Sequence, residues 1–146
     1  MPHAKASNQI HATAVAIDGE GVLLLGPSGA GKSDLALRLI DRGAKLIADD
    51  RVDLFADETR VMLKAPALIA GLLEVRGLGI LRFANVSAPL ALAVELVAPD
   101  TVDRLPEPDG ELYCGHKMPL VRLAPFELSA PIKVELALRR QTVEVL

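Results

Sequence analysis

The stretch with the clearest chemistry is residues 26–33, Gly-Pro-Ser-Gly-Ala-Gly-Lys-Ser, which form a complete phosphate-binding P-loop. Its glycines let the backbone turn tightly, so that N–H groups can point at phosphate oxygens. Lys32 brings a positive charge to the β- and γ-phosphates, and the Ser33 hydroxyl suits Mg²⁺. The pattern therefore predicts binding of a nucleoside triphosphate. The residues predicted to contact it are Gly26, Pro27, Ser28, Gly29, Ala30, Gly31, Lys32 and Ser33.

Two adjacent carboxylates, Asp49 and Asp50, end the apolar segment that follows the P-loop and its helix. In P-loop proteins an acidic residue at a strand end commonly helps to hold Mg²⁺. Neighbouring side chains on a strand point to opposite faces. One carboxylate, Asp49 in our prediction, could therefore serve the metal and the other the nucleophile. A solvated acidic turn is the alternative that the residues leave open.

A second unusual segment is Glu74-Val-Arg-Gly-Leu-Gly79, which pairs a carboxylate with an arginine and follows them with glycines. Glu74 could hold Mg²⁺, and Arg76 could meet a phosphate with two hydrogen bonds. An ordinary surface loop is the alternative. His11 and Arg104 predict no chemistry when taken alone, since a lone histidine is more often structural and an arginine usually lies at the surface.

The elements around the P-loop are those that a phosphate site needs. An apolar run at 21–25 predicts a buried strand. Residues 34–42 predict a helix with Gly43 as its C-terminal cap. The positive N-terminal end of this helix would face the phosphates. Strands outnumber helices, so we predict an α/β fold with a P-loop-containing mixed sheet and few flanking helices. We predict other strands at 10–17, 44–47, 52–55, 60–63, 89–97 and 118–123. A last helix is predicted after Ser129, and loops are predicted at 65–80 and 98–115.

Composition limits the classes of partner. The chain has 146 residues, of which 51% are hydrophobic, as expected for one folded domain, with residues 1–9 flexible. The net charge is −3 with no basic block, and only 3% of residues are aromatic, so nucleic acid and anionic membrane are poor partners. A single cysteine, Cys114, fits a reducing cytoplasm. No apolar run is long enough to span a bilayer.

Taken together and in this order, the segments resemble the catalytic domain of HPr kinase/phosphorylase, a bacterial enzyme that acts on a seryl residue of the phosphocarrier protein HPr. Many families share the P-loop, so the other segments are more specific. The resemblance covers about residues 6–140 and implies ATP, Mg²⁺ and a fold related to phosphoenolpyruvate carboxykinase. It is carried by His11, the P-loop, Leu46-Ile-Ala-Asp-Asp-Arg-Val52, Glu74-Val-Arg-Gly-Leu-Gly-Ile80 and Asp103-Arg-Leu105.

The resemblance implies a role for each matching residue. Lys32 and the P-loop amides match the nucleotide-phosphate site, and Ser33 and Glu74 match Mg²⁺ ligands. Asp50 matches the residue that takes the proton from the target serine and can return it in the reverse reaction. The other residues carried over are the catalytic His11 and Arg104 and the catalytic-loop residues Arg76, Gly77, Leu78 and Gly79.

The resemblance also implies a cytoplasmic homo-hexamer whose partner is HPr. The chain is similar to the short form of some α-proteobacteria, which lacks the N-terminal domain of longer members and serves a regulatory phosphotransferase system. Residues 123–128 depart from the family, because its Pro-Val-Arg-Pro-Gly-Arg pattern is replaced by Leu-Ala-Pro-Phe-Glu-Leu. Without both arginines phosphate is bound less well, which predicts a kinase with weak or no phosphorylase activity. A small-molecule P-loop kinase and a non-catalytic nucleotide-gated regulator are the alternatives.

Overall fold

One mixed sheet, centred on the long strand Ala88–Leu96, carries most of the molecule. The structure is a computed structural model that describes residues 8–141 and 145–146. No helix within these residues is long and apolar enough to cross a membrane. The elements in chain order are β1 (Asn8–His11), β2 (Thr13–Ile17), β3 (Glu20–Leu25), α1 (Lys32–Asp41), β4 (Lys45–Ala48), β5 (Arg51–Ala56), β6 (Val61–Lys64), β7 (Leu72–Val75), β8 (Gly79–Arg82), β9 (Ala88–Leu96), β10 (Asp109–Tyr113), β11 (His116–Leu123) and α2 (Ala130–Arg139).

Seven strands of the main sheet follow the order β1–β5–β6–β9–β3–β2–β4, and the β10–β11 hairpin joins β9 through β11. β9 pairs in parallel with β3 and β11 but antiparallel with β6, so the sheet is mixed. β4 contacts β6 although four neighbour steps separate them in this order, so the sheet curls on itself. This architecture confirms the predicted α/β class with few helices.

β3, which leads into the P-loop, is held on both faces. Val22 and Leu24 pack with apolar residues of α1 and α2, whereas Leu23 packs with residues of β5 and β6. Alternate side chains of a strand point to opposite faces, so one strand serves both clusters. Gly21 permits close approach of β9, because a methyl group there would lie 2.7 Å from the Pro89 carbonyl oxygen. The P-loop therefore begins from a strand that packing holds firmly.

α1 is anchored through one apolar side. Its residues Leu35, Ala36 and Leu39 are fully buried and join the cluster that also contains residues of α2. The helix ends at Asp41, and Gly43 follows with φ +113° and donates its N–H to the Ile40 carbonyl. The predicted C-terminal cap at Gly43 is thereby confirmed. A left-handed residue at this position lets its N–H bond to a carbonyl of the last turn that has no partner within the helix.

Several predicted boundaries were wrong. The strand expected at 10–17 is divided into β1 and β2 at Ala12. The segment 65–80, expected to be irregular, contains a 3-10 turn at Ala67–Ile69 and most of the β7–β8 hairpin. The loop expected at 98–115 contains β10. Glycine and proline favoured loops locally, but backbone pairing with a neighbouring strand overrode that preference. The flexible segment expected at 1–9 lies outside the described residues, except that Asn8 and Gln9 belong to β1.

Candidate active site

The P-loop connects β3 to α1, and its backbone makes the turn through glycines. Gly29 and Gly31 have φ of +84° and +99°, a region that side chains with a Cβ rarely adopt. The Gly31 carbonyl accepts the N–H of Leu35 at 2.9 Å, so the helix begins directly from the loop. The loop amides and the positive end of α1 thus face the same space, as an anion site requires.

Lys32 is nearly buried under this loop. Its ammonium donates to the carbonyl oxygens of Gly26 at 2.7 Å and Pro27 at 2.9 Å. Burial lowers the pKa of Lys32, while the nearby carboxylates of Asp49 and Asp50 act in the opposite direction. The two carboxylates therefore help to keep a cation in a place where burial alone would disfavour it.

Asp49 joins three elements through its two carboxylate oxygens. Oδ1 accepts the hydroxyl of Ser33 at 2.7 Å and the hydroxyl of Thr13 at 2.8 Å. Oδ2 accepts the backbone N–H of Glu74 at 3.2 Å. Since these donors belong to α1, β2 and β7, the carboxylate holds the P-loop helix, the sheet and the β7–β8 hairpin in one arrangement.

Asp50 presents its carboxylate differently from its neighbour. Its φ of +73° places it in the left-handed region, which aspartate tolerates better than most residues. The side chain is 67% exposed; its Oδ1 lies 3.1 Å from His11 Nε2, and its Oδ2 lies 3.8 Å from Arg51 Nε. The left-handed turn thus separates the two carboxylates: Asp49 points into the network and Asp50 faces the solvent side of the cleft.

These groups line one cleft of about 320 Å³. It brings together most of the residues that the sequence singles out. The predicted site residues in its lining are His11, Ser28, Gly29, Gly31, Lys32, Ser33, Asp49, Asp50, Glu74 and Arg76.

Other predicted residues lie elsewhere. Pro27 and Ala30 line a neighbouring pocket, and Gly26 contributes the carbonyl that binds Lys32. In the part of the chain that the structure describes, Arg104 is exposed and outside the cleft lining. Its catalytic role, like that of the catalytic-loop residues at the exposed tip of the β7–β8 hairpin, stays a prediction. These tip residues are Gly77, Leu78 and Gly79.

The oxygen donors of the cleft suit Mg²⁺. Ser33 and Asp49 are already in contact, and Glu74 lies in the same lining. Among the described residues no group of three or more His, Cys, Asp or Glu side chains could hold a metal ion. Mg²⁺ in nucleotide sites usually takes one or two carboxylates together with phosphate oxygens. The donor set therefore fits Mg²⁺ that arrives with a triphosphate.

Sequence reasoning did not assign five residues of this cleft to the site, namely Thr13, Asp34, Leu37, Val75 and Phe126. Thr13 and Phe126 matter most for its geometry. Thr13 is fully buried, and its signal was a hydroxyl between the alanines of an apolar strand, two positions after His11. Phe126 belongs to the segment 123–128, in which the arginines of the family pattern are missing. The signal there was the aromatic side chain of Phe126 itself, whereas sequence reasoning considered only the missing arginines. Neither signal indicates a contact until the chain is folded.

Three comparisons place the chain among known proteins. The family model for the HPr Serine kinase C-terminal domain matches residues 3–105. HPr kinase/phosphorylase of Lactobacillus acidophilus is 51% identical over 80 residues, which are 54% of this chain and 25% of that protein. The Lacticaseibacillus casei protein of the same name is 38% identical over 138 residues, covering 86% of this chain and 41% of that protein. The chain thus spans less than half the length of these relatives.

A solved structure shares the fold. The Hpr(Ser) kinase/phosphatase from Coxiella burnetii superposes with a TM-score of 0.80 at 27% sequence identity. The match covers 94% of this chain and 92% of the other. The curled mixed sheet with two helices is therefore an arrangement that an experimentally determined protein also adopts.

Proposed function

The chain belongs to the HPr Serine kinase C-terminal domain family, and from this membership we propose that it is an ATP-dependent protein-serine kinase domain that phosphorylates a seryl residue of HPr. One observation carries the proposal beyond membership. The exposed Asp50–His11 pair lies in the same cleft as Lys32 and the Asp49–Ser33 pair. A group that can take a proton thus lies beside a complete phosphate site.

The nucleotide would be held as ATP with Mg²⁺. The P-loop amides and Lys32 would bind the phosphates, and Ser33, Asp49 and Glu74 would hold the metal. When bound, Mg²⁺ would reduce the negative charge of the β- and γ-phosphates. Arg76, which is in the cleft lining, would meet the transferring phosphoryl group.

Asp50 would activate the serine of the protein substrate. As the serine oxygen attacks the γ-phosphorus, its proton passes to the Asp50 carboxylate, and the bond from the γ-phosphorus to the bridging oxygen breaks to release ADP. His11 holds one oxygen of this carboxylate and so orients it. The 67% exposure of Asp50 favours a serine on a macromolecule over an enclosed small molecule.

We infer that the reverse, phosphate-dependent reaction is weak. The loop at 123–128 has no arginine, and the guanidinium of the nearby Arg38 is already held by hydrogen bonds. Its guanidinium contacts the carboxylate of Asp34 and the carbonyls of Pro125 and Glu127. Inorganic phosphate would therefore find little free positive charge there. A cytoplasmic hexamer remains an expectation from the resemblance alone.

The test is a transfer assay with γ-labelled ATP, Mg²⁺ and HPr, beside HPr whose acceptor serine is replaced by alanine. We expect label only on the HPr that keeps the serine. Asp50→Asn should lower transfer by about 10²–10⁴-fold and leave ATP affinity within about twofold. Asp41→Asn, an exposed helix position outside the cleft, is the matched control and should change neither.

Three outcomes would each overturn a different part of the proposal. Absence of label on HPr with ATP still bound would favour a small-molecule kinase or a nucleotide-gated regulator. Full activity of Asp50→Asn would remove the proton acceptor from the mechanism. Phosphate-dependent dephosphorylation of seryl-phosphorylated HPr at the rate of the kinase reaction would contradict the inference that the reverse reaction is weak.

A further inference from the structure

A second pocket, of about 500 Å³, lies beside the P-loop, and its lining contains neither Asp49 nor Asp50. Pro27, Gly29 and Ala30 form one wall, and residues 96–99 and 125–127 form the others. Glu127 is the ionisable residue in this lining, and its carboxylate lies 3.3 Å from Lys133 Nζ. The pocket is therefore mainly apolar, in contrast to the charged cleft next to it.

Phe126 connects the two spaces. Together with Gly29 it lines both the phosphate cleft and the apolar pocket. Its ring touches the P-loop so closely that a methyl group on Gly31 would lie 2.8 Å from its Cζ. The residue is nevertheless 68% exposed. A large aromatic surface thus stands open at the border of the phosphate site.

The loop that carries Phe126 is attached to the P-loop helix. Arg38 of α1 donates to the carbonyl of Pro125, and also to the carbonyl of Glu127 at 3.4 Å. The same guanidinium is held by Asp34, whose Oδ2 accepts Nε at 3.0 Å. The backbone on either side of Phe126 is therefore anchored to the P-loop helix before any ligand arrives, which lowers the ordering cost of a contact with the ring.

We propose that this apolar pocket binds the nucleobase and ribose of the nucleotide, with the base stacked on Phe126. The inference rests on the proposed nucleotide binding at the P-loop. Continuity identifies the occupant, because Gly29 and Phe126 border both spaces and a triphosphate on the P-loop carries its nucleoside into an adjoining pocket. The chemistry agrees, since a heterocyclic base has an apolar face that stacks on aromatic rings.

The same pocket should discriminate poorly between purines. The carbonyls of Pro27, Ala98 and Glu127 already accept hydrogen bonds from neighbouring backbone groups. The Pro125 carbonyl accepts one from Arg38. Specific recognition of a base edge needs side chains that can bind it. The polar side chain in this lining is that of Glu127, whose carboxylate already accepts a hydrogen bond from Lys133. We therefore expect ATP and GTP to bind with affinities within about fivefold of each other, since stacking tolerates any base.

The experiment compares Mg·ATP with inorganic tripolyphosphate by calorimetry, using the full chain. Phe126→Ala should lower the affinity for ATP by about tenfold, the loss typical of a base–aromatic contact, and that for tripolyphosphate by less than twofold. Phe126→Trp should keep the ATP affinity. Leu128→Ala is the matched control, since Leu128 belongs to the same loop, is fully exposed and lies outside the pocket lining.

Each result that differs from these expectations would refute a different part of the proposal. Equal losses for ATP and tripolyphosphate in Phe126→Ala would mean that the ring supports only the P-loop. No loss for either ligand would place the base elsewhere. If the unaltered chain binds tripolyphosphate as tightly as ATP, the base pocket fails while the phosphate site stands. If it binds neither ligand, the proposed nucleotide function fails as well.

Discussion

Removal of the Thr13 hydroxyl tests how the site is held together. Thr13 is fully buried in β2, and its hydroxyl donates to Asp49 Oδ1 at 2.8 Å. Valine has nearly the same shape but cannot donate. Asp49 would keep the hydroxyl of Ser33 and the N–H of Glu74. Thr13→Val therefore removes one of three hydrogen bonds to a charged group without opening a cavity.

The magnitude follows from two opposing contributions. A hydrogen bond to a charged group contributes about 1.5–3 kcal/mol. The methyl group that valine buries in place of the hydroxyl offsets about 0.8 kcal/mol of this loss in the free energy of unfolding. We expect Thr13→Val to lower the free energy of unfolding by about 1–2 kcal/mol, or Tm by roughly 3–6 °C for a domain of this size. Thermal melts and urea titrations measure both quantities.

A second readout separates stability from site chemistry. Partners that orient a metal ligand typically affect metal affinity by about 10–100-fold. Thr13→Val should therefore raise the Mg²⁺ concentration that half-saturates phosphoryl transfer by about tenfold, and Thr13→Ser should restore it. Thr101→Val is the matched control. Its hydroxyl donates to the Ala98 carbonyl at the surface, so its loss should cost less than about 0.5 kcal/mol.

Two results would refute this reasoning. If Thr13→Ser is as unstable as Thr13→Val, side-chain packing rather than the hydroxyl matters at this position. If Thr13→Val loses stability but keeps the Mg²⁺ requirement of the unaltered chain, Asp49 does not act on the metal through the orientation that Thr13 supports.

Two further substitutions probe local geometry. Gly31→Ala should weaken tripolyphosphate binding at least tenfold in calorimetry, because the φ of Gly31 is +99° and a methyl group there would meet Phe126. Gly43→Ala is the control, since Gly43 has a φ of +113° but, among the described residues, no atom near the added methyl group. It should lower the stability of the chain and leave tripolyphosphate binding unchanged. Hydrogen bonds from the backbone and hydroxyl of Thr59 lower the pKa of Asp57 to about 2. Because this folded-state pKa lies below the usual value of 3.8, its stabilisation is present above about pH 4 and is lost as the pH falls towards 2. Asp57→Asn should therefore lower Tm at pH 6 and much less at pH 2, and equal losses at both would contradict the assignment.

The predicted fold class was confirmed because its signals are local. The P-loop glycines, the apolar run of β3 and the Gly43 cap each act within a few residues. The boundaries at 65–80 and 98–115 failed for the opposite reason. There the residues favoured loops, and strands formed only because β8 and β11 supply partners for their backbone groups.

The sequence by itself determined the P-loop, from which phosphate binding is predicted, because eight consecutive residues carry that pattern wherever the loop is placed. It also determined which charged groups are available to the site. Only the tertiary structure decided which groups meet. Thr13 reaches Asp49 across 36 residues, and Phe126 reaches Gly31 across 95 residues of sequence. Strand pairing and the packing of α1 and α2 create these contacts, and no local pattern encodes a distance between segments so far apart.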